Sequence, residues 1–144
     1  MISRNQLGVV QNAYQRNFKK VLTVCSAGCL RSPTAAHILA SPPFNFNTRC
    51  CGLSEEYAIV PITEALVVWA DVIVVMEEWM ANEVNLLQSK IAADFELVAG
   101  GMYADFTYKQ VINLDIPDNY DYRDPKLVML MTEKFKDIFA KDLL

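Results

Sequence analysis

A cysteine and an arginine near the start of the chain have the spacing that phosphoryl transfer to a thiol requires. Cys25 and Arg31 flank five mostly small residues in the sequence Cys-Ser-Ala-Gly-Cys-Leu-Arg. A thiolate is a strong nucleophile, and a guanidinium holds two oxygens of a tetrahedral oxyanion through parallel hydrogen bonds. The pattern therefore predicts that Cys25 attacks phosphorus while Arg31 holds the non-bridging oxygens.

The elements around this pair favour an anion site. Residues 21–24 are β-branched or aliphatic, as in a strand buried on both faces, and residues 34–40 are good helix formers that follow Pro33. When a strand, a loop and a helix follow one another, loop N–H groups and the positive helix end converge, which favours the thiolate form of Cys25. We therefore predict that phosphate is bound by Ser26, Ala27, Gly28, Cys29, Leu30 and Arg31.

The composition predicts one globular domain without nucleic-acid or membrane partners. The chain has 144 residues, of which 53% are hydrophobic and 21% charged, and its net charge is −4. No apolar run reaches the roughly 18 residues of a membrane span, and the polar N-terminus is unlike a secretion signal. The four cysteines lack the spacing of a metal site. We therefore predict reduced thiols in the cytoplasm, with no metal and no cofactor.

Four predicted strands alternate with helices along the chain. The strands cover 20–25, 47–51, 71–76 and 110–115. Two helices cover 31–40 and 61–70. A third begins at 77 and ends at about 89 or extends to 93, and a fourth runs from 125 nearly to the last residue. Thr63 and Asp124 are candidate helix caps, and 94–109 is predicted to be an irregular connection. This alternation indicates an open parallel sheet covered on both faces, with its ligand site at the carboxyl ends of the strands.

Residues 1–19 precede the first strand and form an N-terminal extension to the domain at 20–144. Val10, Tyr14 and Phe18 recur at helical spacing, which is compatible with a short amphipathic helix. A packed or frayed arm is the simpler interpretation, and a dimerisation element is the alternative.

Cys25-x5-Arg31-Ser32-Pro33, directly after a first strand, resembles the motif of the low-molecular-weight protein tyrosine phosphatase family. The resemblance covers 20–90 and 110–144, and the runs 69–78 and 114–125 are similar to a bacterial and phage subgroup of predicted tyrosine phosphatases. It implies a three-layer α/β/α fold with a four-stranded parallel sheet in the order 2-1-3-4, the flavodoxin-like topology. It also implies a phosphotyrosine protein or a small phosphomonoester as substrate.

The resemblance assigns roles to three further residues. Asp118 matches the general acid of a hydrophobic-x-Asp-Pro-aromatic motif, Tyr120 would form a wall beside the phosphotyrosine ring, and the Ser32 hydroxyl would hydrogen-bond the thiolate. Asn119 replaces the usual proline of the motif. Asp115 and Asp121 are the alternative acids.

Two departures within the loop leave other functions open. Gly28 stands where the family usually has asparagine, and the extra thiol is Cys29 rather than a residue adjacent to the arginine. Cys29 is either a redox partner of Cys25 or a small packed side chain. An arsenate reductase-like thiol enzyme is one alternative, although no cysteine follows Cys51. A non-catalytic oxyanion- or phosphoprotein-binding module is the other. The single histidine, His37, is expected on a helix surface.

Overall fold

Five strands form the central sheet of the computed structural model, which describes residues 9–10, 18–26, 31–54, 56, 58, 60–99, 106–117, 120 and 124–143. They are β1 Val9–Val10, β2 Lys20–Cys25, β3 Asn47–Gly52, β4 Val72–Val75 and β5 Gln110–Asn113, in the spatial order β1-β3-β2-β4-β5. β2 to β5 are parallel, and β1 pairs antiparallel with β3. The predicted four-stranded parallel sheet is therefore confirmed, with β1 added at one edge.

Helices cover both faces of the sheet, which confirms the three-layer architecture. They are α1 Arg31–Ala40, α2 Glu64–Trp69, α3 Glu78–Ala99 and α4 Pro125–Ile138, followed by a short 3-10 helix at Ala140–Leu143. α1 packs against α4, and α2 packs against α3. Among the helices that the structure describes, none has the length and apolar composition needed to cross a bilayer.

The two central strands are buried on both faces, as their uniform apolar sequences predict. Val21, Leu22 and Val24 in β2 have no exposed surface, and neither do Ile73 and Val74 in β4. The β2 and β4 partners are in register from Val21 with Val72 to Val24 with Val75. Since both strands stop at the same level, their carboxyl ends meet at one edge of the sheet.

The predicted helix caps are confirmed, and α4 buries Leu127, Met131 and Phe135 in one stripe. Thr63 Oγ1 accepts the Leu66 N–H at 3.2 Å, and α2 begins at Glu64 rather than at 61. Asp124 Oδ1 accepts the Lys126 N–H at 2.8 Å ahead of α4. On the buried stripe of α4, Ile138 is 39% exposed because the helix ends there, and Phe139 in the following turn is buried instead.

Part of the N-terminal extension differs from the helical interpretation. Val10 lies in β1, where Val9 is paired with Arg49 and Val10 with Thr48. Tyr14 lies outside the described residues. Backbone pairing with the open edge of β3 thus overrides the helical spacing of a few apolar residues.

The prediction that 94–109 is irregular is wrong over its first part, because α3 continues to Ala99. Phe95 packs edge-on against Phe106, with ring centroids 5.8 Å apart. The buried Gln88 accepts the Lys109 N–H at 2.6 Å and donates to the Lys109 carbonyl at 3.2 Å. These contacts stabilise a helix that extends past the sheet and anchor the segment leading into β5.

Candidate active site

Cys25 and Ser32 are brought together where β2 ends and α1 begins. Cys25 Sγ lies 3.2 Å from Ser32 Oγ, and both residues are buried. Ser32 Oγ also lies 3.3 Å from the Cys51 carbonyl oxygen. A hydroxyl has one proton, so Ser32 donates to Cys51 when Cys25 is a thiol and can turn to donate to Sγ when it is a thiolate. The arrangement places a hydroxyl donor beside the sulfur at the strand end.

The end of β2 is fixed by its neighbours. The Cys25 carbonyl accepts the Leu53 N–H at 2.9 Å, and the Ser26 carbonyl accepts the Ser54 N–H at 2.8 Å. From within β2, the Thr23 hydroxyl donates to the Ser32 carbonyl at 2.8 Å. Strand and helix are therefore held in one orientation, which fixes the direction of the Cys25 side chain.

Arg31 connects three strand ends at the same edge of the sheet. Its guanidinium is buried, and Nη1 donates to the Ile116 carbonyl, after β5, at 2.8 Å. Glu77 Oε2, after β4, lies 3.5 Å from the same Nη1 and accepts the Trp79 indole N–H at 3.0 Å. These contacts set the plane of the guanidinium, whose residue is the first of α1.

The backbone after β5 continues the parallel pairing with β4. Leu114 N–H donates to the Val75 carbonyl and Ile116 N–H donates to the Met76 carbonyl, each at 2.8 Å. Between them, Asp115 has a positive φ of 56°. Asp115 is exposed, and its own N–H donates to Asn113 Oδ1 at 2.9 Å.

The predicted site residues fall into two groups. Cys25, Ser26, Arg31 and Ser32 lie together at the carboxyl edge, and Tyr120 is partly buried against the core. The remaining predicted positions lie outside the described residues, so their roles stay predictions: Ala27, Gly28, Cys29, Leu30, Asp118, Asn119 and Asp121. His37 is exposed on α1, as expected.

Two residues that contact this site were not assigned a role from the sequence. Glu77 approaches Arg31, and Lys134 in α4 donates to the carbonyls after β5. The position of Glu77 is predictable from the sequence, because it directly follows a buried strand and so lies at the carboxyl edge of the sheet, where ligands bind. No pattern in the sequence distinguishes Lys134 from the other lysines of its helix.

The other two described cysteines, Cys50 and Cys51 in β3, are buried and unsuited to nucleophilic chemistry. Burial, with a smaller contribution from the negative charge that Cys25 carries when ionised, raises the pKa of Cys50 from the ordinary 9.0 to about 12. Burial likewise raises the pKa of Cys51 well above its ordinary value. Within the described ranges, no group of three or more histidine, cysteine, aspartate or glutamate side chains is arranged to hold a metal ion.

We expect iodoacetamide at pH 8 to leave Cys50 almost unmodified in the folded protein. Raising the pKa of Cys50 from 9.0 to about 12 keeps the thiol protonated up to high pH, and lowers its reactive thiolate fraction by about 10³ at pH 8. Peptide mass spectrometry of folded and urea-unfolded samples measures the difference. Equal labelling of Cys50 in both samples would contradict this prediction.

Comparison with solved structures shows that the fold is similar to that of several phosphatases. No family model and no curated protein matches the sequence. The structure is similar to the tyrosine phosphatase Wzb from Escherichia coli K30 in complex with phosphate (TM-score 0.57, 17% identity, 86% of this chain and 98% of Wzb). It is also similar to Vibrio vulnificus Wzb in complex with benzylphosphonate (TM-score 0.59, 18% identity, 87% and 99%).

A third similar structure is an arginine phosphatase, YwlE, with a phosphorylated active-site serine (TM-score 0.50, 18% identity, 85% of this chain and 97% of YwlE). These proteins are low-molecular-weight tyrosine and arginine phosphatases, so the resemblance inferred from the sequence is confirmed at the level of the fold. At these identities the likeness extends to the fold alone. The similarity to a bacterial and phage subgroup stays a prediction.

Proposed function

We propose that the protein is a phosphomonoester hydrolase that works through a cysteinyl-phosphate intermediate. The observation that carries this proposal is the 3.2 Å contact between Cys25 Sγ and Ser32 Oγ at the N-terminus of α1. Arg31 is buried at the start of α1, one residue before Ser32. A stabilised thiolate beside a fixed guanidinium suits attack on a phosphate dianion.

In the first step, the Cys25 thiolate attacks phosphorus in line with the leaving oxygen. The S–P bond forms as the P–O bond to the leaving group breaks. The Arg31 guanidinium holds the equatorial oxygens, together with backbone N–H groups of Ser26 to Leu30. Asp118, as the protonated acid, gives its proton to the departing oxygen.

In the second step, the Asp118 carboxylate takes a proton from water as the water oxygen attacks phosphorus. The P–S bond breaks, and inorganic phosphate and the Cys25 thiolate are released. As the P–S bond breaks, the Ser32 hydroxyl donates to the sulfur, which makes the thiolate a better leaving group. No step of this scheme calls on a metal ion or a cofactor.

The substrate class is a phosphotyrosine-containing protein or a small aryl phosphomonoester. Two aromatic side chains support this assignment. Trp79 is 48% exposed and is tied through Glu77 to the catalytic arginine, and Tyr120 lies close in sequence to Ile116, the other partner of Arg31. Flat aromatic surface of this kind suits contact with a phenyl ring. The net charge of −4 disfavours nucleic acid, and a cytoplasmic location remains our expectation.

Hydrolysis of p-nitrophenyl phosphate in the presence of EDTA tests the proposal directly. We expect the wild type to be active and Asp118→Asn to lower kcat for phenyl phosphate, a poor leaving group, by about 10²-fold. The loss on the better leaving group p-nitrophenol should be smaller, because its departure needs less protonation. Liberated phosphate measured over pH 5–8 reports both rates.

The same assay separates the alternatives. A wild type that binds vanadate but hydrolyses none of the esters would favour the binding module. Arsenate-dependent oxidation of thiols without ester hydrolysis would favour the reductase-like enzyme. Phosphotyrosine and phosphoarginine peptides assayed side by side identify the preferred phosphate linkage, and a preference for phosphoarginine would contradict the aryl assignment.

A further inference from the structure

The backbone between β5 and the proposed acid is anchored from two opposite directions. On one side, Arg31 Nη1 donates to the Ile116 carbonyl at 2.8 Å. On the other side, Lys134 Nζ, from α4, donates to the Leu114 carbonyl at 2.7 Å and lies 3.3 Å from the Asp115 carbonyl oxygen. Lys134 is partly buried. The segment 114–116 is therefore held between two cations.

The conformation of Asp115 explains why a cation is needed there. In an extended strand, successive carbonyl groups point in opposite directions across the ladder. The φ of 56° at Asp115 instead turns two successive carbonyl oxygens toward one point, which is occupied by Lys134 Nζ. Aspartate tolerates this left-handed conformation better than most residues. The ammonium group offsets the repulsion between the two oxygens and so favours the turn.

Only Pro117 separates this anchored segment from Asp118. The proline ring restricts φ to about −65°, so little backbone freedom lies between Ile116 and the acid. Asn119 follows the acid where the resembled family usually has proline, and it gives no such restriction. The anchored segment 114–116 thus directly precedes the part of the chain that carries the proposed acid.

We propose that Lys134 is a positioning residue that orients the Asp118 loop for proton transfer, by binding the Leu114 and Asp115 carbonyls. This inference rests on the proposed function and deepens it. Lys134 does not touch the substrate; it acts through backbone, and its removal should impair protonation of the leaving group more than binding of phosphate. A misplacement of the acid by a fraction of its hydrogen-bond distance is enough to slow proton transfer.

The test compares two esters in Lys134→Met, which keeps the apolar stem and removes the ammonium. We expect kcat/KM for phenyl phosphate to fall about tenfold and kcat/KM for 2,4-dinitrophenyl phosphate to change by about twofold or less, because kcat/KM reports only the steps up to release of the leaving group. The inhibition constant of inorganic phosphate should change by about twofold or less. Lys136→Met is the matched control, since Lys136 is exposed on the same helix. Lys134→Arg, which restores a cation, should recover most of the phenyl phosphate activity.

A double variant tests whether Lys134 acts through Asp118. In the Asp118→Asn background, Lys134→Met should not slow phenyl phosphate hydrolysis further, because the proton donor is already absent. If Lys134→Met does not fold, Lys134→Gln replaces it in the same comparison. Equal losses on both esters, or a profile like that of Lys136→Met, would overturn the positioning role. A wild type inactive on both esters would instead overturn the proposed function itself.

Discussion

Cys25→Ser is expected to abolish turnover while leaving oxyanion binding intact. A serine hydroxyl in this position has no adjacent base and remains protonated, so kcat for p-nitrophenyl phosphate should fall by about 10⁴-fold or more. Arg31 and the loop N–H groups are unchanged, so vanadate or phosphate should bind with an affinity within about threefold of the wild type. Steady-state hydrolysis and isothermal titration with vanadate measure the two effects.

Cys50→Ala provides the matched control for this substitution. Cys50 is also a buried strand cysteine, 1% exposed, on the strand beside Cys25. Its replacement should leave kcat unchanged and reduce the free energy of unfolding by about 1 kcal/mol, through lost packing. Residual turnover in Cys25→Ser comparable to the wild type would exclude Cys25 as the nucleophile. Loss of vanadate binding in the same variant would point to a structural effect of the substitution.

Arg31→Lys is expected to lower kcat/KM by about 10²- to 10³-fold, although the positive charge is kept. A guanidinium has five N–H donors in one plane, one of which donates to the Ile116 carbonyl at 2.8 Å, and its fork matches the oxygens of a phosphate. An ammonium is a point charge on a shorter stem and cannot satisfy both partners in the plane that the transition state requires. Initial rates at low substrate concentration give kcat/KM directly.

Arg49→Lys makes the same chemical change outside the site. Arg49 in β3 lies over the Trp69 ring, 4.6 Å from the guanidinium carbon to the ring centroid. Its replacement should alter thermal stability slightly and leave kcat/KM unchanged. If Arg31→Lys and Arg49→Lys reduced kcat/KM to the same degree, the loss would reflect stability, and Arg31 would have no specific part in holding phosphate.

The parts of the fold that the sequence predicts are those governed by local pattern. β2 and β4 are recognisable because they are apolar on both faces, and Thr63 and Asp124 are recognisable as caps because their side chains bond the next turn. The Cys25 and Arg31 pair was predictable for the same reason, since both residues belong to one strand, loop and helix.

The parts that escaped prediction depend on contacts distant in the sequence. β1 exists because β3 offers it an edge, and α3 extends to Ala99 where Phe95 meets Phe106. Lys134 acquires its role only because α4 passes the backbone turn at Asp115. Its hydrogen-bond partner Leu114 lies twenty residues earlier in the sequence. Such contacts leave no periodicity in the sequence, so no pattern reveals them before the fold is known.

The pairing of Val9–Val10 with β3 has a consequence for association between chains. An open strand edge exposes unpaired N–H and carbonyl groups that can recruit a strand from another molecule and seed aggregates. A second chain that paired with β3 at Thr48 and Arg49 would have to displace β1. In the described sheet, the opposite edge is β5, which has four residues and exposed polar ends at Gln110 and Asn113. The N-terminal residues at one edge and a short, polar-ended strand at the other thus disfavour the addition of strands from other chains.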